Sequence, residues 1–323
     1  MSGRNPKVVV VGAAYVDMAI RCGQIPSPGQ SITGSELSYA GTGPGINQAV
    51  EAALCGCDVH LIAKVGADPF GKMVIAALAQ FKVNTDFVGT AQAKNTGVVV
   101  TLVDAKGENA SLTYPGANSA LSPQDIDDAD QIIAEADVCL IHARLPKEAV
   151  IKAILCAKLH TRKVILDPAG GIRPPDGDKP QTEHSVPSEY FSSDVLIPNL
   201  YEAALITEHS GGNIRTAKLI GSDLVARGAG AAVITMGKRG CLVVDRDSAD
   251  HFPAFVIDLV DHTGTGDAFA GALAASLAVG DDLRKAVKFA SAAGALACTK
   301  FGSLEAMPPK AEIIELMQKQ EAE

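Results

Sequence analysis

A glycine-rich segment near the C-terminus carries the strongest chemical signal in the sequence. Residues 261–271 read DHTGTGDAFAG and lead directly into an apolar, alanine-rich helical stretch. The backbone amides of Gly264, Thr265 and Gly266 at a helix start can converge on one anion, which the helix dipole also favours. A fixed negative charge inside such an anion hole serves no purpose in storing phosphate. We therefore interpret Asp267 as a general base that takes a proton from a hydroxyl beside a transferring phosphoryl group. The simpler alternative is a helix-start charge without chemistry.

Four other segments place glycines and polar residues near the ends of predicted strands. They are 12–17 (GAAYVD), 41–49 (GTGPGINQA), 198–202 (PNLYE) and 235–240 (TMGKRG). The second segment does not fit the dinucleotide pattern G-x-G-x-x-G, contains Pro44 and does not directly follow the first predicted strand. The chain also lacks G-x-x-x-x-G-K-[ST]. A nicotinamide-dependent oxidoreductase is thus disfavoured, and the turn at 264–267 is the predicted phosphate site.

Composition limits the remaining classes of function. The 323 residues are 47% hydrophobic and 20% charged, which is typical of a globular protein with a sizeable core. A formal net charge of -9 argues against nucleic acid as a partner, because phosphate backbones require clustered Lys and Arg. No stretch approaches the roughly 20 apolar residues that span a bilayer, and no signal peptide opens the chain. We expect a cytoplasmic protein without a membrane partner, with its seven cysteines reduced.

The elements that must position these residues follow an α/β rhythm. Short Val- and Ile-rich runs alternate with helical-period segments, which predicts a doubly wound, mostly parallel sheet with helices on both faces. The predicted strands are Lys7 to Val11, His60 to Val65, Val138 to His142, Val164 to Asp167, Val195 to Pro198 and Ala232 to Met236. Helices are predicted over 68–81 and 123–136, the second with Ser122 as its N-cap. The polar, proline-rich stretch 170–193 is predicted as a loop.

Two early regions, at about 15–40 and 96–115, break this rhythm. Each has strand-like runs around a turn, so we expect two antiparallel hairpins that pair into a small separate sheet. Such a sheet would form a lid on a single domain spanning residues 1–323. Its exposed apolar face would need cover, which makes a homodimer through the lid a reasonable expectation.

The segment around Asp267 resembles the second signature of the ribokinase-like (pfkB) carbohydrate kinase family. The other segments resemble further motifs of that family, in the family's order, from Lys7 to about Pro308. The resemblance implies a magnesium- and ATP-dependent kinase that phosphorylates a hydroxyl of a small sugar-like substrate. The positions matching its substrate residues are Asp17, Gly43 and Asn47.

The same resemblance assigns the nucleotide and metal side. Asn199 and Glu202 match its N-x-x-E element, associated with Mg²⁺ and phosphate, although the pair could equally be only a helix cap. The positions on the ATP side are Thr235, Gly237, Gly240 and Ser291. In many relatives a monovalent cation lies behind the anion hole, and Asp261, Thr263 and Gly302 match the positions that would supply its oxygens. We therefore treat K⁺ as a further cofactor hypothesis.

Departures from the ribokinase pattern leave the substrate open. Pro44 stands where ribokinases usually have lysine, and Arg144 stands where they have an acidic substrate contact. If Arg144 faces the pocket, it favours a substrate with a carboxylate or phosphate; if it faces solvent, it is uninformative. Tyr15 adds an aromatic wall that could stack on a sugar or a base, so an adenosine-type nucleoside kinase is an alternative. From another class, a catalytically silent sugar- or nucleotide-sensing module would keep the pocket.

Overall fold

A computed structural model describes residues 4–169 and 186–321. Its strands, numbered along the chain, are β1 Lys7–Val11, β2 Tyr15–Cys22, β3 Gly34–Thr42, β4 Asp58–Gly66, β5 Val88–Ala91, β6 Gly97–Val103, β7 Asn109–Tyr114, β8 Val138–His142, β9 Lys163–Asp167, β10 Val195–Leu196, β11 Ala231–Thr235, β12 Cys241–Val244 and β13 Ala249–Phe252. Its helices are α1 Pro44–Leu54, α2 Pro69–Gln80, α3 Pro123–Asp128, α4 Asp130–Glu135, α5 Lys147–Leu159, α6 Leu200–Thr207, α7 Ile214–Ala226, α8 Thr265–Val279, α9 Leu283–Ala297 and α10 Lys310–Glu321.

The main sheet has nine strands in the order β13-β12-β11-β10-β9-β8-β1-β4-β5. The strands from β11 to β5 in this order pair in parallel, whereas β12 and β13 form an antiparallel edge. All the strands predicted from Val- and Ile-rich runs are present in this sheet, with ends that differ by at most two residues. The predicted doubly wound architecture is confirmed.

Both faces of the sheet are buried, because each strand supplies apolar side chains to two separate cores. In β1, Val8 and Val10 belong to a core shared with α1, α2, α8, α9 and α10, while Val9 and Val11 belong to a core shared with α3 to α7. All four valines are fully buried. Runs of consecutive apolar residues are therefore required here, since an alternating strand would bury polar groups on one face.

Helix starts follow the expected capping chemistry, with one correction. Asp68 caps α2 by accepting a hydrogen bond from the Gly71 amide at 2.8 Å. Ser122 and Asp125 form a capping box at the start of α3. The single helix predicted over 123–136 is wrong, because Ala129 leaves helical geometry (φ −97°, ψ 7°) and divides it into α3 and α4.

A second sheet of four strands, in the order β3-β2-β6-β7, is the predicted lid. The two hairpins β2–β3 and β6–β7 are antiparallel, and a parallel pairing of β2 with β6 joins them. The sequence did not indicate this central parallel pairing. It brings the substrate-side residue Asp17, on β2, opposite Val99 on β6.

The lid has one apolar face, because residues opposite each other across a ladder lie on the same side of a sheet. Its members are Met18, Ile20, Leu37, Tyr39, Val100, Leu102 and Leu112. Among them Leu112 is 74% exposed and Leu37 is 57% exposed. Asp17 and Thr101 lie on the opposite face.

Two other expectations concern chain segments rather than the sheets. Most of the predicted loop at 170–193 lies outside the described residues; its last part contains a short 3₁₀ turn at Ser188–Ser192. Within 4–169 and 186–321, no helix has the length and apolar character needed to cross a membrane.

Candidate active site

The helix α8 begins at a glycine that no other residue could replace without strain. Gly264 is the N-cap residue and has a left-handed backbone (φ 77°). A Cβ added to Gly264 would lie 3.0 Å from the Met307 methyl carbon and 3.1 Å from the Ser303 Cα. Beyond it, a Cβ added to Gly266 would meet nothing within 4 Å, so open space lies in front of this turn. First-turn amides of a helix have no intrahelical acceptor, which makes those of α8 candidates to bind an anion.

Asp267 lies in this first turn, and side chains of α1 fix its carboxylate. Asn47 Nδ2 donates to Asp267 Oδ2 at 2.8 Å, and Gln48 Nε2 donates to Asp267 Oδ1 at 3.2 Å. The Thr42 hydroxyl donates to Asn47 Oδ1 at 2.8 Å, which turns the amide nitrogen of Asn47 toward Asp267. The structure thus brings together Asp267 and Asn47, which the sequence analysis had placed in one site.

A second carboxylate, which the sequence analysis missed, lies beside the first. Asp167 ends β9, and its Oδ2 accepts a hydrogen bond from Gln48 Nε2 at 2.9 Å. One amide nitrogen therefore bridges Asp167 and Asp267. The available signal was an acidic residue at the carboxyl end of a parallel strand, where α/β sheets place their ligands.

Burial governs the electrostatics of both carboxylates. Burial raises the pKa of Asp267 to about 6, and the hydrogen bonds from Asn47 and Gln48 oppose that rise. The pKa of Asp167 is well above its ordinary value, because of burial first and then of the negative charges of Asp267 and Glu202. The site thus has more negative charge than its donors compensate.

Asn199 and Glu202 form the N-terminal cap of α6, and the charge of Glu202 also affects Asp167. The Glu202 amide donates to Asn199 Oδ1, and the Asn199 amide donates to Glu202 Oε2, both at 2.9 Å. The charge of Glu202 nevertheless contributes to the raised pKa of Asp167. The pair can therefore cap the helix and still take part in a site for Mg²⁺ and phosphate.

The turn at 235–240 lies next to that cap. Asn199 pairs with Thr235 in a parallel bridge, and an open groove of about 780 Å³ runs along Asn199, Thr235 and Gly237. Gly240 has a left-handed backbone (φ 81°), and a Cβ there would collide with the Phe252 carbonyl oxygen.

Ser291 approaches the end of the same turn from α9. Its Oγ lies 3.4 Å from the Sγ of Cys241, the residue that follows Gly240.

On the substrate side, Asp17 has an unsatisfied oxygen. Its Oδ1 is buried and has no hydrogen-bond partner within the described chain. Burial raises the pKa of Asp17, although hydrogen bonds from the Met18 amide and the Thr101 side chain oppose the rise. A buried carboxylate oxygen without a donor is costly, so this atom is suited to receive a ligand hydroxyl.

Tyr15 and Gly43 pack against each other at the base of the lid. Tyr15 is only 4% exposed, and a Cβ on Gly43 would lie 2.9 Å from its ring. Burial raises the pKa of Tyr15, and the charge of Arg144 partly opposes this. Arg144 is itself exposed, yet it lies near enough to Tyr15 and His142 to influence both.

Hydrogen bonds join the three residues predicted to bind a monovalent cation. Asp261 Oδ1 accepts from the Thr263 amide at 3.0 Å and from the Thr263 hydroxyl at 2.8 Å. Asp261 Oδ2 accepts from the Gly302 amide at 3.0 Å. The contact of Gly302 with Asp261 is thus made by its amide nitrogen, whereas the resemblance implies that Gly302 supplies an oxygen to the cation.

A mostly parallel sheet with a separate lid, and a buried carboxylate at a glycine-led helix N-terminus, define a small-molecule phosphotransferase of the carbohydrate kinase class. The chain belongs to the pfkB family of carbohydrate kinases, whose pattern it matches over residues 5–310.

Individual relatives agree with this assignment. The chain is 30% identical to a deoxyribokinase of Salmonella typhi over 301 residues, covering 93% of this chain and 95% of the relative. It is 29% identical to a ribokinase of Staphylococcus aureus, covering 95% of this chain and 98% of the relative. The structure of Arabidopsis thaliana ribokinase complexed with ribose and ATP superposes with a TM-score of 0.88 at 24% identity, covering 98% of this chain and 99% of the other. The chain is therefore a phosphotransferase that acts on a sugar hydroxyl.

The sequence analysis predicts that Asp267 is the general base, and with this role its raised pKa predicts an acid limit to turnover. A general base works only when ionised, so kcat/KM should fall about tenfold per pH unit below a pKa of about 6. Gln48→Leu removes a hydrogen bond that lowers this pKa, so the acid limb of the pH profile should move to higher pH.

Gln124→Leu is the matched control for this measurement, since Gln124 is an exposed residue of α3 that hydrogen-bonds to Asp128. Its profile should coincide with that of the unaltered protein. An acid limb that stays in place or moves to lower pH in Gln48→Leu would contradict the assignment of Asp267 as the titrating base.

Proposed function

We propose that the protein transfers the γ-phosphoryl group of ATP to a hydroxyl of a pentose or deoxypentose. The observation that carries this proposal is the carboxylate of Asp267, held by Asn47 and Gln48 at the open N-terminus of α8. The relatives named as ribokinase and deoxyribokinase support this choice of sugar, because they match nearly the whole chain.

In this mechanism the chain's own residues orient the sugar and remove one proton. Asp17 Oδ1 and the side-chain amide of Asn47 bind sugar hydroxyls. Gly43 lets the backbone approach the sugar ring. Asp267 accepts the proton of the attacking hydroxyl late in the transfer, since a loose transition state needs orientation more than early activation. The amides of Gly264, Thr265 and Gly266 stabilise the negative charge of the phosphoryl group. Closure of the lid excludes water from the site.

The donor set fits Mg²⁺ and a nucleotide phosphate chain. Asp167 and Glu202 would supply hard carboxylate oxygens, and a divalent cation would offset the negative charge that these two residues and Asp267 bring together. When bound, Mg²⁺ neutralises charge on the phosphate oxygens. On the nucleotide side, Asn199, Thr235 and Gly237 border the open groove, and Gly240 and Ser291 lie at the end of the same turn.

A second candidate is a kinase of an acidic or phosphorylated sugar. Arg144 favours it, because a guanidinium near Tyr15 at the base of the lid can bind a carboxylate or phosphate. A buried Tyr15 that packs on Gly43 offers less support for an adenosine-type substrate, because little of its ring is left for stacking.

The proposal predicts sugar-dependent ADP release in Mg²⁺ and ATP that Asp267→Asn suppresses. The acceptor panel is ribose, 2-deoxyribose, fructose, fructose 6-phosphate, 2-keto-3-deoxygluconate and adenosine. Asp267→Asn should lower kcat about 10²- to 10⁴-fold, as expected for loss of a general base, while ATP still binds.

Asp258→Asn, an exposed aspartate in the loop before the site, is the matched control and should keep full turnover. Faster turnover of an acidic or phosphorylated acceptor than of the pentoses would contradict the pentose proposal and support the second candidate. ATP binding without turnover of any acceptor would favour the sensing-module alternative. Unchanged turnover in Asp267→Asn would remove Asp267 from the mechanism.

We also propose that K⁺ binds beside Asp261 and Thr263 and supports the anion hole. In buffer free of sodium and potassium, added K⁺ should raise the rate of ADP release. Asp261→Ala should abolish that response, because Asp261 joins Thr263 to Gly302. Asp258→Ala should keep it. A rate that is indifferent to K⁺ in the unaltered protein would contradict the proposal.

The lid is proposed as the surface of a homodimer, since its apolar face exposes Leu37, Tyr39 and Leu112. Leu112→Asp should convert a dimer to a monomer, because it buries a charge in that interface. Leu219→Asp, at a 58% exposed leucine of α7, should leave the dimer intact. Sedimentation equilibrium measures the masses. A monomeric unaltered protein at micromolar concentration, or a dimeric Leu112→Asp, would contradict this interface.

A further inference from the structure

Three side chains with different donor atoms meet where α4 packs against α5. Asp130 is the first residue of α4, Cys156 lies in the last turn of α5, and His160 is the C-cap residue of α5. The Cys156 thiol lies 3.2 Å from Asp130 Oδ1, and His160 Nε2 lies 2.8 Å from the same oxygen. All three donor atoms lie within 4.8 Å of one another.

Secondary structure sets this convergence. Cys156 and His160 are four residues apart, so they project from one face of α5 at its end. Asp130 comes from the neighbouring helix, and α4 and α5 both bury apolar residues in the same core. Ligands on packed helices are better fixed than ligands on loops.

We propose that Asp130, Cys156 and His160 form a binding site for a borderline-soft divalent transition-metal ion such as Zn²⁺. Thiolate, imidazole and carboxylate are the ligand types that Zn²⁺ takes in proteins. The thiolate and the carboxylate together carry two negative charges, which neutralise the ion. A water molecule completes the tetrahedron.

The hydrogen bonds now seen in the cluster occupy the place of the ion. One oxygen of Asp130 accepts from both the thiol and the imidazole, so two hydrogens lie between the three donor atoms. Metal binding displaces both: the thiol loses its proton to solvent, and the imidazole binds through Nε2 with its proton on Nδ1. With Zn–N bonds of about 2.1 Å and Zn–S bonds of about 2.3 Å, a tetrahedral ion holds neighbouring donors about 3.3 to 3.6 Å apart. Asp130 Oδ1 would therefore move away from the Cys156 thiol by about 0.3 Å and from His160 Nε2 by about 0.5 Å.

Access and charge around the cluster permit this binding. The side chains of Asp130 and His160 are 51% and 27% exposed, whereas Cys156 is 5% exposed, so the ion enters from the solvent side and reaches a sheltered thiolate. The charge of Lys152 acts on both Asp130 and Cys156, but Lys152 pairs with Asp127. Lys158, which is closer along α5, pairs with Asp194. The charges of both lysines are thus largely compensated and do not repel a cation.

The site is remote from the proposed phosphoryl transfer. Helix α5 starts after the carboxyl end of β8 and returns the chain to the start of β9, so His160 lies at the amino edge of the sheet. Asp267 and Asp167 lie at the carboxyl edge. A metal here would tie α4 to α5 and would act on stability, so this proposal is independent of the proposed function.

The test is a Co²⁺ titration of the purified full chain, followed by displacement with Zn²⁺. We expect one equivalent of Co²⁺ to give a thiolate-to-cobalt charge-transfer band, which Zn²⁺ abolishes. Zn²⁺ should also raise the thermal unfolding temperature. Cys156→Ser should lose the charge-transfer band, and His160→Ala should bind Co²⁺ at least about 100-fold more weakly, since even outer-shell losses cost 10- to 100-fold.

Controls of the same residue types are available in this chain. Cys57→Ser and His209→Ala, at partly exposed positions elsewhere, should bind Co²⁺ like the unaltered protein. Sugar kinase turnover should be the same in His160→Ala as in the unaltered protein. Absence of the band, or its survival in Cys156→Ser, would overturn the proposal and leave the cluster as a hydrogen-bonded clamp only.

Discussion

The structure depends on burying one carboxylate at the start of a helix. A buried carboxylate costs several kcal/mol unless donors surround it, and the donors of Asp267 come from Asn47 and Gln48 on a different helix. Helices α1 and α8 must therefore pack very closely. Gly271 permits this, because a Cβ there would lie 2.5 Å from the Gln48 carbonyl oxygen. The alanine-rich composition of α8 has the same cause, since larger side chains would separate the two helices.

The carboxylate of Asp267 shares one of its hydrogen-bond donors with Asp167. Gln48 donates from one nitrogen to both Asp267 and Asp167, and a single amide cannot compensate two buried charges. Burial raises the pKa of Asp167, and the negative charges of Asp267 and Glu202 raise it further. This crowding of negative charge is suited to a kinase. A bound cation and the hydroxyl donors of a sugar would both offset this negative charge, which would favour their binding.

Local chemistry explains how much of this the sequence could predict. The helix start at Asp267 was predicted because its glycines and its acidic residue are local features of one segment, and the sheet was predicted from runs such as Val8 to Val11. Asp167 was missed because its role depends on Gln48, which reaches it across 119 residues of sequence. The parallel pairing within the lid was missed for the same reason, since pairing between hairpins leaves no local pattern. Position alone likewise could not decide the orientation of Arg144.

A chain of hydrogen bonds links Asp267, the proposed general base, to the lid. The Ser303 and Thr42 hydroxyls lie 2.8 Å apart, and since Thr42 gives its hydrogen to Asn47, Ser303 must donate to Thr42. Asn47 in turn donates to Asp267. Thr42 ends β3 of the lid, just before α1 begins at Pro44, so a change in lid position would act on the Asn47 amide that holds Asp267. In the proposed mechanism, closure of the lid and placement of Asp267 would therefore be coupled, which would keep the base from being aligned while water still fills the site.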